Sequence, residues 1–202
     1  PLRNLEDLKR RNKPLNIGAT SPNTSTAIAG TFLKSLGLPV RNVYGYRGSA
    51  ATMAALERKE IDARFLPQDI VQTQHRRFLE EGIARPLMAL GKEPRLKPLS
   101  GVITLEDLKL NADQRNLANF LTTTWSLLRL YAIPPGTPSE RVRLLREAFM
   151  KTMESPRFIK DAKRQGVNIA PISGKEVDRI VQRLTKTSPE VLETYKKLIG
   201  LK

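Results

Sequence analysis

Residues Val43 to Glu57, VYGYRGSAATMAALE, pass from apolar alternation through a Gly-Tyr-Arg-Gly-Ser turn straight into an alanine-rich helical pattern. Two glycines and a Ser at such a junction have two uses. Glycine supplies the positive φ of a sharp strand-to-helix turn, and it lets bare backbone N–H groups approach an anionic ligand closely. The flanking sequence has to decide between them.

Upstream, Leu15 to Thr20 (LNIGAT) is a short apolar run ending in the polar cluster Ser21-Pro22-Asn23-Thr24-Ser25-Thr26. That cluster is rich in N-cap residues, and Ala27, Ile28, Phe32, Leu33 and Leu36 follow at helical spacing until Gly37. Val40 to Tyr46 repeats the theme as a second strand, with Ser49 as the expected N-cap of a helix over Ala50 to Arg58. Ile61 to Phe65 reads as a third strand, Gln68 to Glu81 as a helix ended by Gly82, and Ala84 to Leu90 as another buried strand. Strands alternating with helices predict βαβ units and a mostly parallel sheet.

Beyond the Pro/Lys-rich connection GKEPRLKPLS, helices are expected near Leu105 to Leu108 and Asp113 to Leu121, then a strand over Trp125 to Ile133. Pro134-Pro135-Gly136-Thr137-Pro138 punctuates the chain and places Thr137 as N-cap of a helix with Pro138 at N1. Ser155-Pro156 opens a helix to Gln165, Gly166 stops it, and Asn168 to Pro171 is a candidate short strand. Ser173 with Glu176 forms a capping box, and Ser188-Pro189-Glu190 starts the last helix. The expected organisation is an α/β lobe over 1–133 and a helical region over 134–202.

Composition narrows the chemistry. A chain of 202 residues, 40% hydrophobic, suffices for a real core. The formal net charge of +15 raises a second class of function, a basic module for nucleic acid or an anionic surface. However, residues 1–138 hold 20 Lys/Arg against 12 Asp/Glu, and residues 139–202 hold 15 against 8, so no segment owns the excess. The runs Lys9-Arg10-Arg11 and His75-Arg76-Arg77 lack interleaved aromatics for base stacking, and nucleic acid is not the expected partner. No cysteine is present and His75 is the single histidine, which excludes thiolate and paired-His metal sites and His-based triads. An enzymatic reading rests on Glu57, Glu60 and Asp62 alone, and carboxylates at a helix end are ordinarily solvated. No cofactor is expected.

Both loops, Thr20 to Thr26 and Gly45 to Ala50, follow a strand and precede a helix, so both belong at the carboxyl edge of a parallel sheet. Helix N-termini there favour an anion. Ser21, Thr24, Ser25, Thr26 and Ser49 add hydroxyl donors and Arg47 adds a full charge. A small carboxylate suits this site better than a nucleotide.

Four segments in series, GATSPNTST, GYRGSAATMAALERKEIDARF, PPGTPSERVRLLREAFMKTMESPRF and GVNIAPISGKEV, resemble the extracytoplasmic solute-binding receptors of the tripartite tricarboxylate transporter family, or Bug-type receptors. The resemblance implies one lobe of a type II periplasmic-binding-protein-like fold. It implies a receptor that captures a small organic carboxylate unchanged and passes it to membrane permease subunits, with a periplasmic location. The implied contacts fall on Ser21, Asn23, Thr24, Ser25 and Thr26 in one loop and on Tyr46, Arg47, Gly48, Ser49 and Ala50 in the other. Such receptors begin with a lobe of about a hundred residues that has no counterpart here, so the chain is expected to be the second lobe plus the C-terminal helices. Those helices would then leave an apolar patch open to self-association.

Overall fold

The segments LNIG and VRNV pair in a computed structural model of the chain, which describes Leu2 and residues 5–91, 102–127, 129–167 and 169–201. Strand β1 (Leu15–Gly18) runs parallel to β2 (Val40–Val43), with Leu15 opposite Val40 and Gly18 opposite Val43. A short helix, α1 (Leu5–Lys9), precedes them and buries Leu8. The crossover between the strands is α2 (Ser25–Ser35), which buries Ala27, Ile28, Ala29, Gly30, Phe32 and Leu33. So much of its surface is buried because it packs on both strands and also on the C-terminal helix, α10 (Pro189–Leu198). Its contact with β2 is close: a Cβ on Gly30 would clash with Asn42 Oδ1. The Asn42 amide donates to Ala27 O at 2.8 Å and to Thr31 Oγ1 at 3.1 Å.

The expected strand over Ile61 to Phe65 is reduced to a single parallel bridge, Ile17 to Ala63, on the other side of β1. The amides of Asp62 and Ala63 both donate to Asn16 O, at 2.9 and 3.0 Å, so one acceptor serves two donors and the ladder stops. Ala84 to Leu90 likewise contributes one bridge, Met88 to Ile103; Pro86 within it has no N–H to continue a ladder. Between β2 and these segments lies α3 (Ser49–Glu57). The helix expected over Gln68 to Glu81 is two, α4 (Gln68–Gln74) and α5 (Arg76–Glu80), because His75 at φ −126°, ψ 21° leaves helical geometry.

The described residues of Trp125 to Ile133 form no strand. Helix α6 (Ala112–Ser126) runs through Trp125, after a short 3-10 turn at Glu106–Leu108. The β-branched run Thr122-Thr123-Thr124 suggests extension, but the Thr122 hydroxyl bonds back to Ala118 O at 2.9 Å, and Leu117, Ala118 and Leu121 supply a buried helical face. Helix α7 (Ser139–Glu154) starts one residue later than expected, with Pro138 at its N-cap, while the Thr137 hydroxyl donates to Pro134 O at 2.7 Å. Helices α8 (Pro156–Arg164) and α9 (Gly174–Thr185) follow; residues 169–171 between them are not a strand, and Asn168 and residues 92–100 of the Pro/Lys-rich connection lie outside the described residues.

The chain divides into two units. The first comprises Pro1–Leu66, Arg77–Thr122 and Ser188–Lys202, and the second Pro67–Arg76 and Thr123–Thr187. The first holds every fully buried apolar residue among the described residues except Ala162 and Ile180. Its C-terminal helix also sets the Tyr195 ring edge-on to Phe120, with centroids 5.1 Å apart. In the second unit, an Arg146–Asp178 ion pair of 2.9 Å ties α7 to α9, and Tyr131 tilts against Phe149 at 5.8 Å. Helix α7 buries no side chain completely: Leu144 is 60% exposed and Leu145 51%. Among the described residues, no helix is long and apolar enough to cross a membrane.

Candidate functional site at the carboxyl edge of the sheet

Because β1 and β2 are parallel and in register, the segments leaving Gly18 and Val43 emerge at one edge of the sheet, joined by Ala19 N donating to Val43 O at 2.9 Å. The segment after Ala63 leaves at the same edge, since Ala63 pairs in parallel with Ile17 and its carbonyl accepts from Gly18 N at 3.0 Å. A further bond, Thr26 Oγ1 to Phe65 O at 3.1 Å, fastens the first turn of α2 to this third segment. Three chain segments therefore converge where two had been expected.

In the first loop the polar residues divide into working caps and free groups. Thr24 is the N-cap of α2: its hydroxyl accepts from Ala27 N at 3.4 Å and donates to Ser21 O at 2.9 Å. Thr24 and Thr26 thus spend their hydroxyls on structure. The side chains of Ser21, Asn23 and Ser25 are exposed and make no hydrogen bond among the described residues. The N–H groups of Ser25 and Thr26 have no acceptor there either.

The second loop corrects the expected N-cap. Gly48, at φ 134° and ψ −172°, is the N-cap of α3, and Ser49 is the first helical residue with its side chain uninvolved in capping. A glycine cap has no side chain to fold back, so the N–H groups of Ser49, Ala50 and Ala51 find no acceptor among the described residues. Thr52 N, the next in line, reaches Gly48 O at 3.2 Å. The result is an uncapped, positively polarised helix end. Tyr46 is half-buried and Arg47 exposed, with no ion pair for Arg47 among the described residues. A pair of substitutions separates the two loops. Thr24→Ala should lower the unfolding free energy by about 0.5–2 kcal/mol, the usual range for a lost cap. Ser49→Ala should stay within about 0.5 kcal/mol of wild type, as for surface changes generally; urea denaturation measures both.

A residue that the sequence reading passed over completes the edge. Arg64 follows Ala63, and its Nη1 donates to Ser49 O at 2.6 Å and to Thr52 Oγ1. Thr52 is fully buried and in turn donates to Ser49 O at 2.8 Å, so Arg64 is pinned to the first turn of α3. Burial lowers the pKa of its guanidinium, and Nε is buried with no hydrogen-bond partner among the described residues. Its position in Ile61-Asp62-Ala63-Arg64-Phe65 alternates with apolar residues, a pattern that reads as a solvated strand face.

The three carboxylates of the enzymatic reading have other commitments. Glu57 pairs with Arg77 at 2.6 Å and Glu60 with Arg58 at 2.6 Å. The Arg58 hydrogen bond holds the Glu60 carboxyl below its ordinary pKa. Asp62 accepts from Asn16 N at 2.8 Å, before β1 reaches the carboxyl edge. No group of His, Cys, Asp or Glu suited to a metal ion occurs among the described residues.

No protein-family model and no curated protein matches the sequence. Among solved structures, R. palustris Rpa4515 with adipate is similar in fold, with a TM-score of 0.58 over 99% of this chain at 18% identity. The chain spans 62% of that protein's length. The fold is thus α/β with a small parallel sheet, of the periplasmic-binding-protein-like kind.

Proposed function

We propose that the chain supplies one wall of an extracytoplasmic receptor for a small organic carboxylate. The observation that carries this reading is the pair of helix N-termini at one sheet edge, each with N–H groups that find no acceptor among the described residues. Each such terminus favours an anion by about 0.3–1 kcal/mol when exposed, and more when enclosed. Likeness to a structure solved with adipate, a six-carbon dicarboxylate, supports the same ligand class.

On this reading the ligand is held and released unchanged. The receptor works in the periplasm and delivers its cargo to permease subunits of a tripartite tricarboxylate-type transporter. The open leucines of α7 then belong to a surface covered by another lobe or by a second copy of the chain.

Titration calorimetry on the full-length protein with adipate, succinate, citrate and benzoate tests the reading. Saturable one-site binding to at least one of them is the expected result. A protein verified as folded that gives neither heat nor a melting shift with any of the four would overturn it.

A further inference from the structure

Helix α8 turns outward a face of positive charge that the fold itself makes no use of. Its sequence, PRFIKDAKR, sets Arg157, Lys160, Lys163 and Arg164 at three- and four-residue spacing, so the four share one side of the helix, opposite Phe158 and Ala162. Ala162 is buried and Phe158 half-buried in a helix that packs on α7, whereas all four basic residues are exposed. Like charges at those spacings repel one another and weaken a helix, and Arg157 in the first turn opposes its dipole. Among the described residues Arg157, Lys160 and Lys163 have no acidic partner, and Arg164 reaches Asp161 only at 3.6 Å. By contrast, Arg143, Arg146, Arg179 and Arg183 on the neighbouring helices α7 and α9 each have one. The charge on α8 therefore costs stability and returns none within the chain.

We infer that this face of α8 holds the protein against an anionic lipid surface. A plane of acidic headgroups asks only for unpaired cations spread over an area, and each Lys or Arg near it raises affinity by roughly fivefold. A protein partner is gripped by apolar or aromatic anchors at the centre of the contact, and single-stranded nucleic acid by aromatic rings. The outward side of α8 has neither at its centre; its nearest apolar residue, Ile159, lies on the flank. Interfacial helices commonly sink an apolar side among acyl chains, but that side of α8 faces the protein, which leaves electrostatic attachment that salt reverses. The carboxyl-edge loops belong to the first unit and α8 to the second, so loss of either surface leaves the other intact.

Sedimentation of the full-length protein with vesicles tests this, comparing equal parts of phosphatidylglycerol and phosphatidylcholine with phosphatidylcholine alone. Wild-type protein should bind the anionic vesicles, ignore the neutral ones and come off when salt is raised to about 1 M. Arg157→Gln, Lys160→Gln and Lys163→Gln combined should weaken binding by about 100-fold. Removal of three exposed charges from the first unit, by Arg10→Gln, Lys13→Gln and Lys34→Gln combined, should change it by no more than about threefold. If circular dichroism shows that the α8 variant does not fold, the single exposed change Lys160→Glu decides in its place, with an expected loss of about tenfold or more. Equal binding to both kinds of vesicle, no binding by folded wild-type protein, or equal losses from the α8 and first-unit variants overturns the role of α8. Binding to duplex DNA that the α8 variant loses, without binding to vesicles, overturns it too and gives the face to nucleic acid. Each of these outcomes leaves the carboxylate reading standing, since adipate calorimetry tests that separately.

Discussion

Phe32→Ala is expected to lower the unfolding free energy by about 3–5 kcal/mol, the largest single effect predicted for this chain. Phe32 is 1% exposed and is the largest fully buried side chain among the described residues. It lies in the middle of a helix that packs against both strands and α10, so the neighbours that would have to collapse into the void are anchored on several sides. Alanine is the better helix former, but that gain is only a few tenths of a kcal/mol and does not alter the sign. The transition should be followed by far-UV circular dichroism, because the single tryptophan, Trp125, lies in the other unit. Leu144→Ala on α7, where the side chain is 60% exposed, should change stability by no more than about 0.5 kcal/mol. A Phe32→Ala loss below about 1.5 kcal/mol would mean that the cavity closes and that α2 is far less firmly held than its burial indicates.

That core explains why some of the fold can be read from sequence. Caps are local chemistry: Ser173 and Ser188 each accept the N–H bond that their spacing predicts, and the polar cluster before α2 supplies its cap through Thr24. Helix ends at Gly37 and Gly166 are legible for the same reason, since both close Schellman turns with positive φ. Helix α3 ends in a turn of the same pattern on Lys59, at φ 61°, and no glycine announces it. The errors arise where a distant partner decides. Whether Ile61 to Phe65 extends a ladder depends on how Asn16 O, some 45 residues upstream in chain order, is shared. The threonine run in α6 carries strand propensity, and the buried face of that helix overrides it.

The candidate site shows the same division. Its two loops are legible because a strand, a polar or glycine-rich turn and a helix follow one another directly. The choice of Gly48 over Ser49 as the cap is a matter of backbone dihedral angles, which composition does not report. Arg64 is invisible to such a reading because its importance comes from α3 lying beside it, and Ser49 and Thr52 are 15 and 12 residues away in the chain.

Gly48→Ala carries the second large effect, about 1–3 kcal/mol of destabilisation, and its cause is separable from steric bulk. A Cβ added to Gly48 would meet no atom within 4 Å, so no clash accompanies the change. The backbone at φ 134° and ψ −172°, however, lies in a region that is essentially open to glycine alone. Gly48→Ser should therefore cost nearly the same as Gly48→Ala, since both suffer the same backbone strain and neither is short of space. A clash would instead make the larger side chain clearly worse. On the proposed receptor reading adipate affinity should fall as well, because relief of the strain turns the peptide that carries the Ser49 N–H and would move the first turn of α3 against Arg64. Unfolding free energies within about 0.5 kcal/mol of wild type for both variants would show that the turn relaxes freely. In that case its glycine would serve neither the turn nor the proposed cradle, and the receptor reading would lose the rigid edge it relies on.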